Sequence, residues 1–172
     1  MKMVVVGEPP VEIAAFLARR RALGQDRSDE VWEGDYHVVP APHAWHAYME
    51  NTLAVLLDAP ARAAGLVGMG EFNVGDSDDF RVPDMGFVRG VPSQVFLPTA
   101  AIVVEILSPG DETWEKFGFF ARHGIEEVCA VDPRAKQVRW FVLLDGAYEE
   151  TGASPLLGIT AAHLAGQIDW PS

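Results

Sequence analysis

Two apolar runs of the chain, residues 81–88 and 100–107, each carry one carboxylate, Asp84 in the first and Glu105 in the second. Both runs are rich in β-branched residues, which predicts a strand for each. Moving a carboxylate from water into a protein interior costs several kcal/mol unless a partner compensates the charge. Two acids in consecutive strands therefore indicate a shared partner. A divalent cation is the simplest one, because hard cations take oxygen ligands.

A simpler interpretation is open for each acid. Asp84 follows Pro83 and could cap a turn, which is a frequent role of aspartate. Glu105 could instead be half of a buried ion pair with Lys116 or with an arginine, which would perturb the same pKa values.

The apolar periodicity predicts an α+β chain with α/β-like character, in which helices flank a mixed β-sheet. Its length of 172 residues fits a single domain that spans residues 1–172. The predicted elements are helices at 9–23, 43–63 and 111–123, a strand or hairpin at 31–39, and strands at 66–74, 81–88, 100–107, 127–131 and 137–144.

The charge of the chain bears on its partners. Its 13 Lys and Arg against 25 Asp and Glu give a net charge of −12. Proteins that bind nucleic acid through its phosphates usually present a basic face, so this composition weighs against avid, nonspecific DNA binding. It leaves room for a local basic stripe or a metal-dependent contact. The arginine cluster at 19–21 is explained by its favourable interaction with the dipole of the first predicted helix.

The cysteine content and hydropathy indicate a compartment. Cys129 is the only cysteine, which precludes an intramolecular disulfide and fits a reducing cytosol, so a cytoplasmic location is expected. No apolar stretch is long enough to span a bilayer, and no membrane partner is expected.

A lysine completes the candidate site. Asp84 lies at the start of one predicted strand and Glu105 near the end of the next, so both can reach one edge of the sheet. Lys116 lies eleven residues after Glu105, in the first turns of the following helix, and can reach back over that edge. Two carboxylates and a lysine could bind Mg²⁺ or Mn²⁺, orient a water and stabilise charge on a phosphoryl group. The sequence therefore predicts metal-assisted hydrolysis of phosphodiesters.

Six short motifs, in order, resemble those of the Uma-type restriction endonuclease family, a bacterial family once filed as a domain of unknown function. The resemblance covers the chain from about residue 30 to its end. The motifs are residues 30–35, which are similar to the family's Glu-Leu-Ile-Asp-Gly-Glu; Pro40-Ala41-Pro42 with His46; Pro83-Asp84; 104–109 around Glu105; Asp111 with Lys116, Phe120 and Gly124-Ile125; and Val131-Asp132-Pro133.

The resemblance implies the restriction-endonuclease-like fold of the PD-(D/E)XK nuclease superfamily. It also implies that Asp84 and Glu105 bind the metal, that Lys116 is the catalytic lysine and that Glu30 is an accessory acid. The wider superfamily places its lysine two residues after the second acid, where this chain has Leu107. Lys116 would therefore substitute for that lysine from the helix.

The resulting hypothesis is a Mg²⁺-dependent endonuclease that hydrolyses DNA and acts as a homodimer, since cutting both strands suits a two-fold pair. A non-cleaving dimeric binding or regulatory module with the same fold stays open, because the chain is acidic and its lysine is displaced. A nuclease that acts on RNA or on non-B-form DNA is a third hypothesis. His46 could assist a proton transfer or contact the substrate, or it could be a structural histidine.

Overall fold

The computed structural model describes residues 3–110 and 112–171, so Asp111 of the fifth motif lies outside the described residues. The described chain forms four helices and fourteen short strands. In chain order these are β1 (Met3–Val5), α1 (Val11–Ala22), β2 (Glu30–Trp32), β3 (Asp35–Val38), α2 (Ala44–Ala63), β4 (Val67–Met69), β5 (Asn73–Gly75), β6 (Phe80–Arg81), β7 (Met85–Val88), β8 (Phe96–Leu97), β9 (Ile102–Ile106), α3 (Thr113–Arg122), β10 (Glu127–Asp132), β11 (Gln137–Leu144), β12 (Ala147–Glu150), β13 (Ala153–Ser154), β14 (Ile159–Thr160) and α4 (Ala161–Gln167).

The central sheet has the strand order β12-β11-β10-β9-β7-β4. Strands β9 and β10 are parallel, and α3 forms the crossover between them. The other neighbouring pairs of this sheet are antiparallel. The predicted mixed sheet with flanking helices is therefore confirmed. A parallel pair needs a crossover of this kind, and its carboxyl ends then lie at the same edge of the sheet.

Helices cover both faces of the central sheet, and the alternation of side chains along β9 shows which residues meet which helix. Ile102 and Val104 are buried in one cluster with the apolar side chains of α2 and α4. Val103 is buried in a second cluster with Phe119 and Phe120 of α3. Side chains two residues apart on a strand lie on the same face, so Glu105 lies on the face of Val103, which is the face towards α3. A strand covered on both faces needs apolar residues at successive positions. This explains why every residue of 102–106 except Glu105 is apolar.

A second sheet, of order β1-β3-β2-β6-β5-β8, packs beside the first. The prediction of continuous strands at 66–74 and 81–88 is wrong in this respect, because each run divides between the two sheets. Strands β4 and β7 belong to the central sheet, and β5 and β6 to the second. The second run breaks at Pro83, which has no backbone N–H to donate to a ladder. Asp84 therefore lies where the chain passes from one sheet to the other.

Close backbone packing holds β7 against β9. At Gly86 a Cβ atom would lie 2.7 Å from the carbonyl oxygen of Ile102 and 2.8 Å from the ring of Phe72. Only glycine leaves room for this approach, which keeps the strand after Asp84 tight against the strand that carries Glu105.

Two further features of the described chain complete the fold. Helix α1 forms as predicted, but none of its residues is buried. None of the helices in residues 3–110 and 112–171 combines the length and the apolar character that a bilayer-spanning helix needs.

Candidate active site

Strand register brings Asp84 and Glu105 to the same edge of the central sheet. In the antiparallel pair of β7 and β9, Met85 lies opposite Val104, so the next position of this register is Asp84 opposite Glu105. The Oδ2 atom of Asp84 accepts a hydrogen bond from the backbone N–H of Ile106 at 2.6 Å. That bond fixes the Asp84 carboxylate against the end of β9.

Lys116 of α3 lies between two buried carboxylates. Its Nζ atom is 2.8 Å from Oε1 of Glu30 and 3.3 Å from Oε1 of Glu105. The side chain of Lys116 is 13% exposed, and those of the two acids are 4% exposed. Glu30 is held in turn by the backbone N–H of Val82 at 2.7 Å and by the indole N–H of Trp32 at 2.6 Å. The structure thus brings the first acid of the sequence motifs to the predicted lysine.

The charges of this cluster shift one another's pKa values. Burial raises the pKa of Glu105 well above its ordinary value, and the negative charges of Asp84 and Glu30 add to this rise, while Lys116 opposes it. Burial alone would lower the pKa of Lys116, but the charges of Glu105, Glu30 and Asp84 outweigh it and raise that pKa. Lys116 is therefore paired with two acids, and the negative charge of Asp84 acts on the same lysine.

A second group of side chains surrounds Asp84 from the α2 side. The Nε2 atom of His46 is 3.0 Å from Oδ1 of Asp84 and 3.3 Å from Oε1 of Glu50. One ligand atom from each of the three residues lies within 4.8 Å of the other two. Burial lowers the pKa of His46, but its hydrogen bond to Asp84 and the charges of Asp84 and Glu50 outweigh burial, so the pKa is raised. Burial also raises the pKa of Glu50.

Sequence reasoning missed Glu50. The available signal was its position four residues after His46 in a predicted helix, since residues i and i+4 share one helix face. The two side chains lie near the start of α2, whose buried face is set by Met49, Leu53 and Leu57.

A groove of about 390 Å³ opens beside Asp84 and Glu50, between α2 and the β4–β7 pair. Its remaining lining residues are Ala47, Asn51, Ala54, Asp58, Gly68, Met69, Gly70, Met85 and Phe87. Asp84 and Glu50 are therefore reachable from solvent on the α2 side, whereas Glu105 is 3% exposed and faces α3.

A family model with the description "Putative restriction endonuclease" matches residues 14–165, which is most of the chain. The chain belongs to the Uma2 family. The resemblance predicted from the six motifs is confirmed. The fold described above is accordingly that of a member of this family.

The solved structures include a similar fold. A crystal structure at 1.96 Å resolution, described as a "putative nuclease belonging to DUF820" from Anabaena variabilis ATCC 29413, superimposes with a TM-score of 0.64. The match covers 81% of this chain and 90% of the other, at 17% sequence identity. At this identity the likeness shows a shared fold. No protein with a curated description matches the chain.

Proposed function

We propose that this protein is a divalent-metal-dependent endonuclease that hydrolyses DNA phosphodiester bonds. The observation that carries the proposal is the meeting of Asp84, directly before β7, and Glu105 of β9 with Lys116 of α3 at one sheet edge. Membership of the Uma2 family supports it. A site of four acids, one histidine and one lysine has the charges that a phosphodiester reaction requires, because anionic groups attract a cation and the lysine complements the phosphate.

Each protein group has a role in this proposal. Lys116 donates hydrogen bonds to the phosphoryl oxygens and stabilises the charge that develops there. Glu30 holds the ammonium of Lys116 in place, since Glu30 is itself fixed by two donors. The backbone N–H of Ile106 keeps the carboxylate of Asp84 in one orientation. Lys116 thus serves from α3 in place of the residue at position 107.

The donor set around Asp84 fits a divalent cation. Asp84 and Glu105 would hold it, and His46 and Glu50 offer an imidazole nitrogen and another carboxylate oxygen within 4.8 Å of an Asp84 oxygen. Mg²⁺ prefers oxygen ligands, whereas Mn²⁺ also accepts imidazole. When bound, the cation supplies Lewis-acid polarisation of the phosphoryl group and lowers the pKa of water.

Plasmid cleavage tests the proposal. Supercoiled DNA is incubated with Mg²⁺ or Mn²⁺ and the wild-type chain, Asp84→Asn, Glu105→Gln or Lys116→Met. We expect nicked and linear products from the wild type and a loss of about 10²-fold or more in rate for each variant, as for the removal of a group that stabilises transition-state charge. Glu149→Gln is the matched control, because Glu149 is also a strand acid but lies exposed on β12.

Cleavage that persists unchanged in Asp84→Asn and Glu105→Gln would contradict the assignment. Calorimetric titration with Mn²⁺ distinguishes the nuclease from the non-cleaving binding or regulatory module. A folded chain that neither binds Mn²⁺ nor cuts DNA would support the non-cleaving module. Replacing the plasmid by RNA under the same conditions tests the third hypothesis.

We further propose that the active form is a two-fold dimer, since scission of both strands of a duplex suits two symmetric sites. Light scattering coupled to size-exclusion chromatography measures this directly. A monomer at all working concentrations, with double-strand cuts intact, would contradict it.

A further inference from the structure

Some positively charged side chains of this acidic chain form ion pairs with carboxylates, and others do not. Most arginines and lysines of the described residues form an ion pair with a carboxylate. Four in residues 3–110 and 112–171 do not: Arg19, Arg27, Arg134 and Lys136. All four are exposed. Their charges are therefore neither neutralised nor desolvated, which makes them available to an external anion.

Two of these four residues, Arg19 and Arg27, are direct sequence neighbours of residues whose contacts lead towards the candidate site. Arg19 precedes Arg20, whose guanidinium bonds both oxygens of buried Asp29, at 2.8 and 3.2 Å. Asp29 directly precedes Glu30. This contact ties the last turn of α1 to the start of the strand that carries the acid partner of Lys116.

The loop that carries Arg27 is fixed to the same region. The hydroxyl of Ser28 donates to Oε1 of Glu71 at 2.7 Å. The charge of Glu71 in turn acts on His46 and Glu50, so Glu71 lies near the group around Asp84. Arg27 is thus one residue away from a contact with the rim of the candidate site.

The other two residues, Arg134 and Lys136, lie in the turn between β10 and β11. In the parallel pair, Ala130 lies opposite Glu105, and the turn begins at Asp132, about 7 Å further along the strand at 3.3 Å per residue. The backbone N–H of Leu107 donates to the carbonyl of Val131 at 2.8 Å, which holds this turn to the end of β9. The side chain of Asp132 is occupied by the turn itself, since it accepts from two backbone N–H groups.

We infer that Arg19 and Arg27 on one side, and Arg134 and Lys136 on the other, form the surface that binds the DNA backbone across the candidate site. This inference rests on the proposed function and names the residues through which an acidic protein reaches its polyanionic substrate. Lys and Arg contacts to phosphates supply the sequence-independent part of DNA affinity and fix the orientation of a protein on the duplex. Arg19 is thus assigned a role beyond its interaction with the dipole of α1.

Salt-dependent binding tests the surface. Fluorescence anisotropy of a labelled short duplex is measured between about 50 and 200 mM NaCl, with Ca²⁺ as the divalent ion. Each lost phosphate contact lowers the slope of log affinity against log salt by about 0.9. We expect R19Q/R27Q and R134Q/K136Q each to lower the slope by about 1.8 and to weaken binding at low salt.

The control is R62Q/R89Q, which removes the same two charges elsewhere. Arg62 lies sixteen residues after His46 on α2, about 24 Å away along the helix axis. Arg89 follows the far end of β7, about 17 Å from Asp84 along the strand. Both are exposed and ion-paired. We expect the wild-type slope for this variant.

Equal slopes of log affinity against log salt in all three double variants would contradict the proposed DNA-binding surface. A wild-type chain that does not bind the duplex would also contradict it. Circular dichroism of each variant verifies that it is folded. Cleavage is measured separately: a chain that binds through these four residues but never cuts overturns the proposed nuclease function and leaves the surface standing. A chain that cuts with unchanged salt dependence in both test variants overturns the surface alone.

Discussion

Two buried glutamates of the central sheet differ in their partners rather than in their burial. Glu127 is 1% exposed and Glu105 is 3% exposed. Glu127 accepts hydrogen bonds from the indole N–H of Trp140 at 2.7 Å, the hydroxyl of Ser154 at 2.5 Å and the N–H of Leu156 at 2.8 Å. Neutral donors satisfy this carboxylate, so it stabilises the fold. Glu105 lies instead among charges, with Lys116 as its ion-pair partner and the negative charges of Asp84 and Glu30 nearby.

Glu105 should make stability depend on pH. Its pKa is raised in the folded chain by burial, so above the ordinary glutamate pKa of about 4.3 the folded state binds a proton that the unfolded state has lost. The contribution of Glu105 is thus fully favourable below that pH and falls by up to about 1.4 kcal/mol per pH unit as the pH rises towards the raised pKa. Urea denaturation at a series of pH values measures this slope.

The Glu105→Gln variant should lack this component, while Glu149→Gln should keep it. Identical pH slopes in the wild type and Glu105→Gln would show that Glu105 is ionised in the folded chain at all pH values tested.

At the scale of elements, α1 is held by one buried ion pair rather than by packing. Its twelve residues bury no side chain, and isolated helices of this length are marginal in water. The anchor is Arg20 on Asp29, which is 2% exposed and also accepts from the hydroxyl of Tyr36 at 3.0 Å and the N–H of Val39 at 2.8 Å. The order of α1 therefore depends on a contact outside its own sequence.

Arg20→Ala should loosen α1 selectively. Loss of a hydrogen bond to a charged group costs about 1.5–3 kcal/mol, which corresponds to roughly 10- to 100-fold faster amide exchange where the contact limits opening. Hydrogen exchange followed by mass spectrometry should show this increase in residues 11–22, while β10 and β11 keep their protection. Arg19→Ala is the control, since Arg19 forms no ion pair with the described residues. Equal exchange of α1 in both variants would contradict the anchor.

At the scale of the whole molecule, the candidate site concentrates negative charge in a chain that already carries −12. Glu30, Asp84 and Glu105 share Lys116, and Glu50 adds a fourth acid beside Asp84. A cation in this region would relieve their repulsion only in the folded state, because the unfolded chain disperses them. Metal binding should therefore stabilise the entire fold.

Saturating Mn²⁺ should raise the melting temperature. A ligand at a hundredfold excess over its Kd stabilises the native state by about 2.7 kcal/mol, which is about 5 to 10 °C for a chain of this size. Differential scanning calorimetry should detect this rise in the wild type and in Glu149→Gln, and little of it in Asp84→Asn. An equal rise in Asp84→Asn would place the ion elsewhere.

The sequence predicted the inner strands of the central sheet more closely than the two runs that pass from one sheet to the other. The runs that became β9, β10 and β11 were predicted closely, because strands buried on both faces need continuous apolar residues. The runs at 66–74 and 81–88 were predicted as single strands but divide between two sheets. Local hydrophobicity cannot indicate which of two sheets a residue joins, since both environments favour the same side chains.

Local sequence pattern was enough to predict that Glu105 lies in a buried apolar strand, that Asp84 lies at the start of another apolar run and that Lys116 lies in the first turns of the following helix. These facts follow from local pattern, because burial dictates apolar residues and exceptions stand out against them. The contact of Glu30 with Lys116 across 86 positions of sequence could be seen only in the folded chain, as could the approach of His46 and Glu50 to Asp84 from α2. Such contacts depend on how sheets and helices pack, and packing is fixed by the whole chain rather than by any one segment.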